Sequence, residues 1–172
     1  MAICDRSRLR ECHFLEEMAP ILACSYDAVA QQAAMVEANY ESSWGHDLAD
    51  ALAAARDLDV RRGVTTVGPH RDEIVLSIAG VPARTHASQG EQRSLALALR
   101  LAADAVIRTA GVAEPILLLD DVFSELDPGR ARALLDALPS GQRVLTTAVG
   151  LPPAATPDQV LCIHDSTVTV ET

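Results

Sequence analysis

Pro115-Ile116-Leu117-Leu118-Leu119-Asp120-Asp121-Val122-Phe123-Ser124-Glu125-Leu126-Asp127 decides how this chain is read. The aliphatic run from Ile116 to Leu119 is too short to cross a bilayer and suits a strand buried on both faces. It ends in two carboxylates. Ligands of open α/β sheets sit just beyond the carboxyl ends of the strands, which places Asp120 and Asp121 where chemistry is done. Two adjacent acids repel and resist desolvation unless a cation such as Mg²⁺ lies between them and a phosphate. A strand followed by a plain acidic turn is the competing reading.

Upstream, Ser88-Gln89-Gly90-Glu91-Gln92 opens a helical stretch, Arg93 to Thr109, that leads into this strand. Ser88 is a natural N-cap, and Glu91 three residues later completes a capping box. Gly90 lets a phosphate approach the backbone N–H groups at the positive end of the helix dipole. A well-capped helix with no ligand accounts for the same residues. Behind the cap, Leu95, Leu99, Ala102 and Val106 share one face, widened by Ala98 and Leu101, and form core. Arg93, Arg100 and Arg108 read as solvent or interface charges.

Three motifs in this order resemble the RecF family of DNA repair ATPases, relatives of the SMC proteins within the ABC class. They are Gly68-Pro69-His70-Arg71-Asp72, Ser88-Gln89-Gly90-Glu91-Gln92-Arg93-Ser94, and Leu118 to Asp127. The match covers residues 61 to 172, and the first 60 fit loosely. The resemblance makes Asp120 the Walker B aspartate that holds Mg²⁺. Asp121 takes the place of a water-polarising glutamate; it is one methylene shorter, which implies slow hydrolysis. Ser88 and Gly90 of the signature would contact the γ-phosphate of ATP held by the opposite subunit. Gln89 and Glu91 stand where transporters have glycine and glutamine, which points to the repair branch. Ser124 to Asp127 resembles the D-loop. Thr147 is matched to the switch histidine, where a hydroxyl can hydrogen-bond the γ-phosphate but cannot carry a proton as imidazole does.

At 172 residues, 49% of them apolar, the chain can bury one good core. Its net charge of −10 argues against a free-standing nucleic-acid binder, so DNA contact requires a local arginine patch or further sequence. All fourteen basic residues are arginine. A P-loop, Gly-x-x-x-x-Gly-Lys-Ser/Thr, needs the lysine this chain lacks. It therefore reads as the second half of an ATP site, a carboxy-terminal portion without its amino-terminal lobe. Cys4, Cys12, Cys24 and Cys162 form no Cys-x-x-Cys pair, and Cys12-His13 has no second pair to complete a metal site. Free thiols suit a reducing cytoplasm. Arg6, Arg8 and Arg10 interrupt any signal-peptide core, and no segment has the length of a membrane span.

The fold expected is α/β, an ABC/SMC-type P-loop NTPase carboxy-terminal lobe with a mainly parallel sheet and an amino-terminal helical segment. Residues 1–60 form the helical segment, part of an inserted helical lobe, and residues 61–172 the ATPase lobe. In the first segment, a helix over 8–19 ends near Pro20, a second runs from Ile21 to Tyr40 on Val29, Ala33, Val36 and Tyr40, and Glu41 to Trp44 is a polar break. Asp47 to Leu58 is a third helix. Past Gly63, Val64 to Val67 is a strand. The turn at Gly68-Pro69 presents His70, Arg71 and Asp72, which form a solvated loop, line the nucleotide, or lock two lobes together. Ile74 to Ile78, Ala79-Gly80 and Val81 make a hairpin. Asp127-Pro128 caps a helix reaching Leu138. Val144 to Val149 is a buried strand, and Gln159 to Ile163 and Thr167 to Val170 close the chain around an exposed His164.

The resemblance implies a RecF-type DNA replication and repair protein. Such a protein binds single-stranded and duplex DNA, gapped junctions included, in an ATP-dependent manner. It serves recombinational repair, replication restart and SOS induction in the cytoplasm. It implies an ATP-dependent homodimer, recombination mediator partners, and a weak ATPase only when a P-loop lobe is supplied. Two alternatives stay open. One is another ABC-class role, transporter or SMC-like, against which stand the Asp-Asp pair, the missing switch histidine and the lack of flanking heptads. The other is a truncated, non-catalytic module that binds partners.

Overall fold

A computed structural model describes residues 3–45, 47–111, 114–124 and 126–171, with side chains from residue 12 onward. The side chains of Cys4, Arg6, Arg8 and Arg10, and all of Glu125, lie outside the described residues.

Helix α1 spans Ile3–Ala30 and runs on through Pro20, where the sequence predicts a stop. Leu15, Met18, Leu22, Tyr26 and Val29 are buried at three- and four-residue steps, so one apolar face continues past the proline. Pro20 itself is exposed, and its ring removes one N–H from the helix ladder. An interior proline costs about 3 kcal/mol. Burying each of these side chains returns about 1.5–3 kcal/mol, and packing wins.

The expected second helix is half strand. Beyond Ala30, Gln31 turns with φ 54°, and Val36–Glu41 forms β1. Val36 and Tyr40, four apart, fit a period of 2 as well as 3.6. Here Val36, Ala38 and Tyr40 turn inward while Glu37, Asn39 and Glu41 face solvent. β1 pairs antiparallel with β2 (Glu73–Ile78), from Val36 opposite Ile78 to Glu41 opposite Glu73. β3 (Val81–Pro82) completes this sheet across the expected hairpin, with Ala79 at φ 52° and Gly80 at φ 78°.

Helix α2 (Leu48–Arg62) starts on the Asp47 carboxylate and buries none of its residues. Val64 to Val67 is no strand. Thr66 gives its N–H and hydroxyl to Asp59, and the Thr65 carbonyl accepts Arg71 Nε at 2.9 Å. Side chains satisfy this backbone in place of a ladder.

Short α3 (Ala83–His86) precedes α4 (Gln89–Thr109), the central element, which buries two faces. Leu95, Ala98 and Ala102 pack with the α1 side chains and with Val36 and Ile78 of the first sheet. Leu97, which the sequence pattern misses, and Leu101 pack with Val29, Phe123, Ala131 and Leu134. Buried Asp104 is paired with Arg108 at 2.6 Å, and Arg108 also reaches the Pro115 carbonyl, so this arginine braces the turn into the next strand.

β4 (Leu117–Leu119) pairs in parallel with β5 (Arg143–Leu145), and α5 (Pro128–Ala137) forms the crossover between them. Among the described residues, parallel pairing is confined to this pair; the other sheets are antiparallel. Burial on both faces is corrected: Leu117 and Leu119 are covered, whereas Leu118 is 70% and Ile116 55% exposed. β5 stops at Leu145, short of the expected Val149, although the Thr146 N–H still bonds the Leu119 carbonyl at 3.0 Å. β6 (Val160–His164) and β7 (Thr167–Glu171) form the expected closing hairpin, with His164 exposed. No helix among the described residues is long and apolar enough to cross a membrane.

Candidate functional site: an acidic strand end and a capped signature turn

The β4–β5 register sets Leu119 opposite Leu145, so the next residues, Asp120 and Thr146, emerge side by side. The Thr146 hydroxyl donates to Asp120 Oδ1. The Asp121 N–H is shared between the Thr146 carbonyl at 3.1 Å and its Oγ1 at 3.0 Å. Asp121 has φ 48°, a left-handed conformation that aspartate adopts more readily than most non-glycine residues. Neighbours hold it there: its carbonyl accepts Ser124 Oγ at 2.9 Å and its carboxylate lies 3.4 Å from the Ala148 N–H. Both acids are exposed, so water screens their repulsion and neither carries a burial penalty.

Thr147 turns away from this pair. Its hydroxyl donates to the Gly150 carbonyl at 3.2 Å and accepts the Val149 N–H at 3.3 Å. Among the described residues, no three His, Cys, Asp or Glu side chains converge on one point. Mg²⁺ takes one or two carboxylates and completes its shell with water and phosphate, a role that the exposed Asp120 carboxylate could fill.

The signature turn is a complete capping box. Ser88 Oγ accepts the Glu91 N–H at 3.3 Å, and the Glu91 carboxylate accepts the Ser88 N–H at 2.8 Å and its hydroxyl at 2.7 Å. The Ser88 hydroxyl and N–H hold Glu91 below the usual carboxylate range. Ser88 and Gln89 are exposed and Gly90 half-buried. One helical turn on, the Ser94 hydroxyl is fully buried without a partner. An unsatisfied buried hydroxyl costs about 1–3 kcal/mol. Ser94→Ala is therefore expected to raise stability by about 1 kcal/mol in urea unfolding.

Asp127 caps α5, accepting the Arg130 N–H at 3.0 Å, with Pro128 in the first turn as predicted. Ser124 bonds back to Asp121, so the D-loop-like segment is tied to the acidic strand end.

Asp72 is a hub rather than a solvated loop residue. Its carboxylate accepts the Tyr40 hydroxyl, the Ser43 N–H at 2.7 Å, the Ser43 hydroxyl at 2.8 Å and Trp44 Nε1 at 3.2 Å. Gly68, at φ 124° and ψ 173°, occupies backbone space open to glycine alone and gives its N–H to Ser43 Oγ at 3.0 Å. The arrangement locks residues 40–44 to residues 68–72. His70 and Arg71 remain exposed, both bonded to the Thr65 carbonyl.

Among the described residues, no hydrogen bond or ion pair joins Ser88–Glu91 to Asp120 or Asp121. One surface groove of about 280 Å³ includes Leu15, Ala19 and Tyr40, and another of about 230 Å³ runs beside the D-loop-like segment, lined by Phe123, Leu126, Pro128 and Val149. Sequence reasoning missed Thr146, Tyr40, Ser43 and Trp44. Only the strand register separates Thr146 from Thr147, and only tertiary pairing brings the polar break to Asp72.

No protein-family model matches the chain. The DNA replication and repair protein RecF of Frankia alni is 42% identical over 149 residues, which cover 78% of this chain and 39% of the relative. A solved structure of the recombination mediator protein RecF-ATP in the RecFOR pathway superposes with a TM-score of 0.75 at 25% identity, over 98% of this chain and 47% of that one. A second, of RecF-ATPrS, gives 0.72 at 27% identity, over 93% and 45%. The chain thus spans less than half the length of the relatives it matches.

Proposed function

Because the chain belongs to the RecF family, we propose that it supplies the signature and Walker B half of a RecF-type DNA replication and repair protein. It acts in the cytoplasm in ATP-dependent binding of single-stranded and duplex DNA, gapped junctions included. Recombinational repair, replication restart and SOS induction are its processes, with recombination mediators as partners. Residues 61–172 serve as the ATPase lobe and residues 1–60 as part of the inserted helical lobe, joined by the packing of α1 on α4, the β1–β2 ladder and the Asp72 lock.

Asp120 takes Mg²⁺, which when bound neutralises phosphate charge. Asp121 orients the attacking water, weakly because its side chain is short. Ser88, Gln89, Gly90 and Glu91 present the amino end of α4 to the γ-phosphate on the opposite subunit of an ATP-dependent homodimer. Ser124 and Asp127 carry the D-loop between the two sites, and Thr147 is the switch position beside the Asp120-bonded Thr146. A P-loop lobe, in the same longer chain or another molecule, packs on the open face of the parallel pair, where Ile116, Leu118 and Val144 are exposed.

The observation that carries this reading is the presence, in one chain, of two solvent-open motif ends with no bond between them. Solvent-open ends of this kind support a site completed by a complement. The test is titration of a fluorescent ATP analogue with Mg²⁺ against the chain alone and against the chain mixed with a P-loop lobe of a RecF-type protein. Binding is expected only in the mixture, and Ser88→Ala is expected to weaken it about tenfold, the worth of one charge-assisted hydrogen bond. Absence of binding in both leaves the partner-binding module, a reading favoured by the unburied α2.

A further inference from the structure

The amino ends of α4 and α5 meet through one side chain. Arg130, in the first turn of α5, lies across Gly90 so closely that a methyl group there would overlap Arg130 Nη1 and stand 3.4 Å from its Cζ. The guanidinium is aimed by Asp127, whose Oδ2 is 3.6 Å from Arg130 Nε and whose Oδ1 takes the Arg130 N–H. With 31% of its side chain exposed, Arg130 is held but reachable.

The end of the Arg130 side chain thus rests on Gly90, 40 positions away in the sequence. The Arg130 charge also reaches Glu91 and Tyr26, placing it over the capping box rather than out in solvent. An arginine beside the positive end of a 21-residue helix opposes the helix dipole. The carboxylates of Asp127, 3.6 Å from Nε, and of Glu91 offset that in part. A cation kept where the backbone is already electropositive is suited to an anion.

We propose that Arg130 is a binding residue for the terminal phosphate of the nucleotide at the signature turn, and that Asp127 aims it there. This rests on the signature reading given above. A guanidinium presents paired N–H donors that match two phosphate oxygens, and it adds a full positive charge to the neutral donors of the Ser88 hydroxyl and the α4 amides. It adds a reason for the D-loop and signature to respond together: the residue that caps α5 also orients the cation facing the phosphate.

The experiment uses the whole chain mixed with the P-loop lobe, titrated with fluorescent tri- and diphosphate analogues in Mg²⁺. Arg130→Gln is expected to weaken the triphosphate about tenfold, leave the diphosphate within about twofold, and lose the triphosphate preference; Arg130→Lys retains most of it. Thermal unfolding of each variant reports its folded state. Equal loss for both nucleotides marks a packing role and overturns the proposal. So does an unchanged preference in Arg130→Gln while Ser88→Ala loses it, an outcome that leaves the signature reading standing. If Ser88→Ala changes nothing either, the signature reading itself falls and this one with it.

Discussion

Asp120→Asn is expected to lower Mg²⁺-dependent binding of the triphosphate analogue, in the mixture with a P-loop lobe, about 100-fold, or ~2.7 kcal/mol. The substitution keeps an oxygen that accepts the Thr146 hydroxyl and removes only the charge. Asp120 is exposed and caps no helix, so urea unfolding should move by less than about 0.5 kcal/mol. The loss should vanish when Mg²⁺ is chelated, because a carboxylate facing phosphate without a cation contributes repulsion rather than binding. Equal binding by both proteins at every Mg²⁺ concentration would place the cation on other residues. Loss that persists in chelator would mean that Asp120 shapes the strand end and holds no metal.

What the sequence makes legible here is what local chemistry decides. The Ser88–Glu91 box, the Asp127-Pro128 start and the Ala79-Gly80 turn are all found where their residue types require. Each depends on neighbours a few positions apart. The errors share the opposite cause. Pro20 is a stop signal by intrinsic preference, yet Leu15, Met18 and Leu22 on either side of it bury against α4 and override that preference. Val36 and Tyr40 satisfy two periodicities, and the choice lies with β2, more than thirty residues downstream. Ile116 to Leu119 promises two covered faces by composition alone. Only one is covered within this chain. The acidic strand end and the capped signature turn are legible as motifs, whereas their neighbours, Thr146 and Arg130, depend on register and helix packing.

The Asp72 lock makes an opposite kind of demand on the fold, and Asp72→Ala is expected to destabilise the chain by about 2–3 kcal/mol in urea unfolding at pH 7. Removing the carboxylate leaves the Tyr40 hydroxyl, the Trp44 indole N–H and the Ser43 N–H without their acceptor in a partly buried site. Burial alone would raise the Asp72 pKa, but the hydrogen bonds from Tyr40, Ser43 and Trp44 outweigh it and hold the carboxyl below its ordinary value. The sign of the pH dependence follows. A carboxyl depressed in the folded state contributes its full stability above the unfolded value of about 3.9 and loses it as pH falls through the lower folded value. The gap between the parent chain and Asp72→Ala should therefore be constant from pH 7 to about 5 and shrink below about pH 4. A gap that stays constant into strong acid would mean that the donors do not favour the ionised form. Asp72→Asn separates charge from geometry: an amide oxygen still accepts, so it should recover part of the loss at pH 7 and show no such acid dependence. Because the donors come from residues 40–44 and the acceptor from the Gly-Pro-His-Arg-Asp element, this variant weakens the seam between the amino-terminal segment and the rest. Nucleotide binding in the mixture should then fall only to the extent that the chain unfolds, unlike Asp120→Asn, which leaves folding intact.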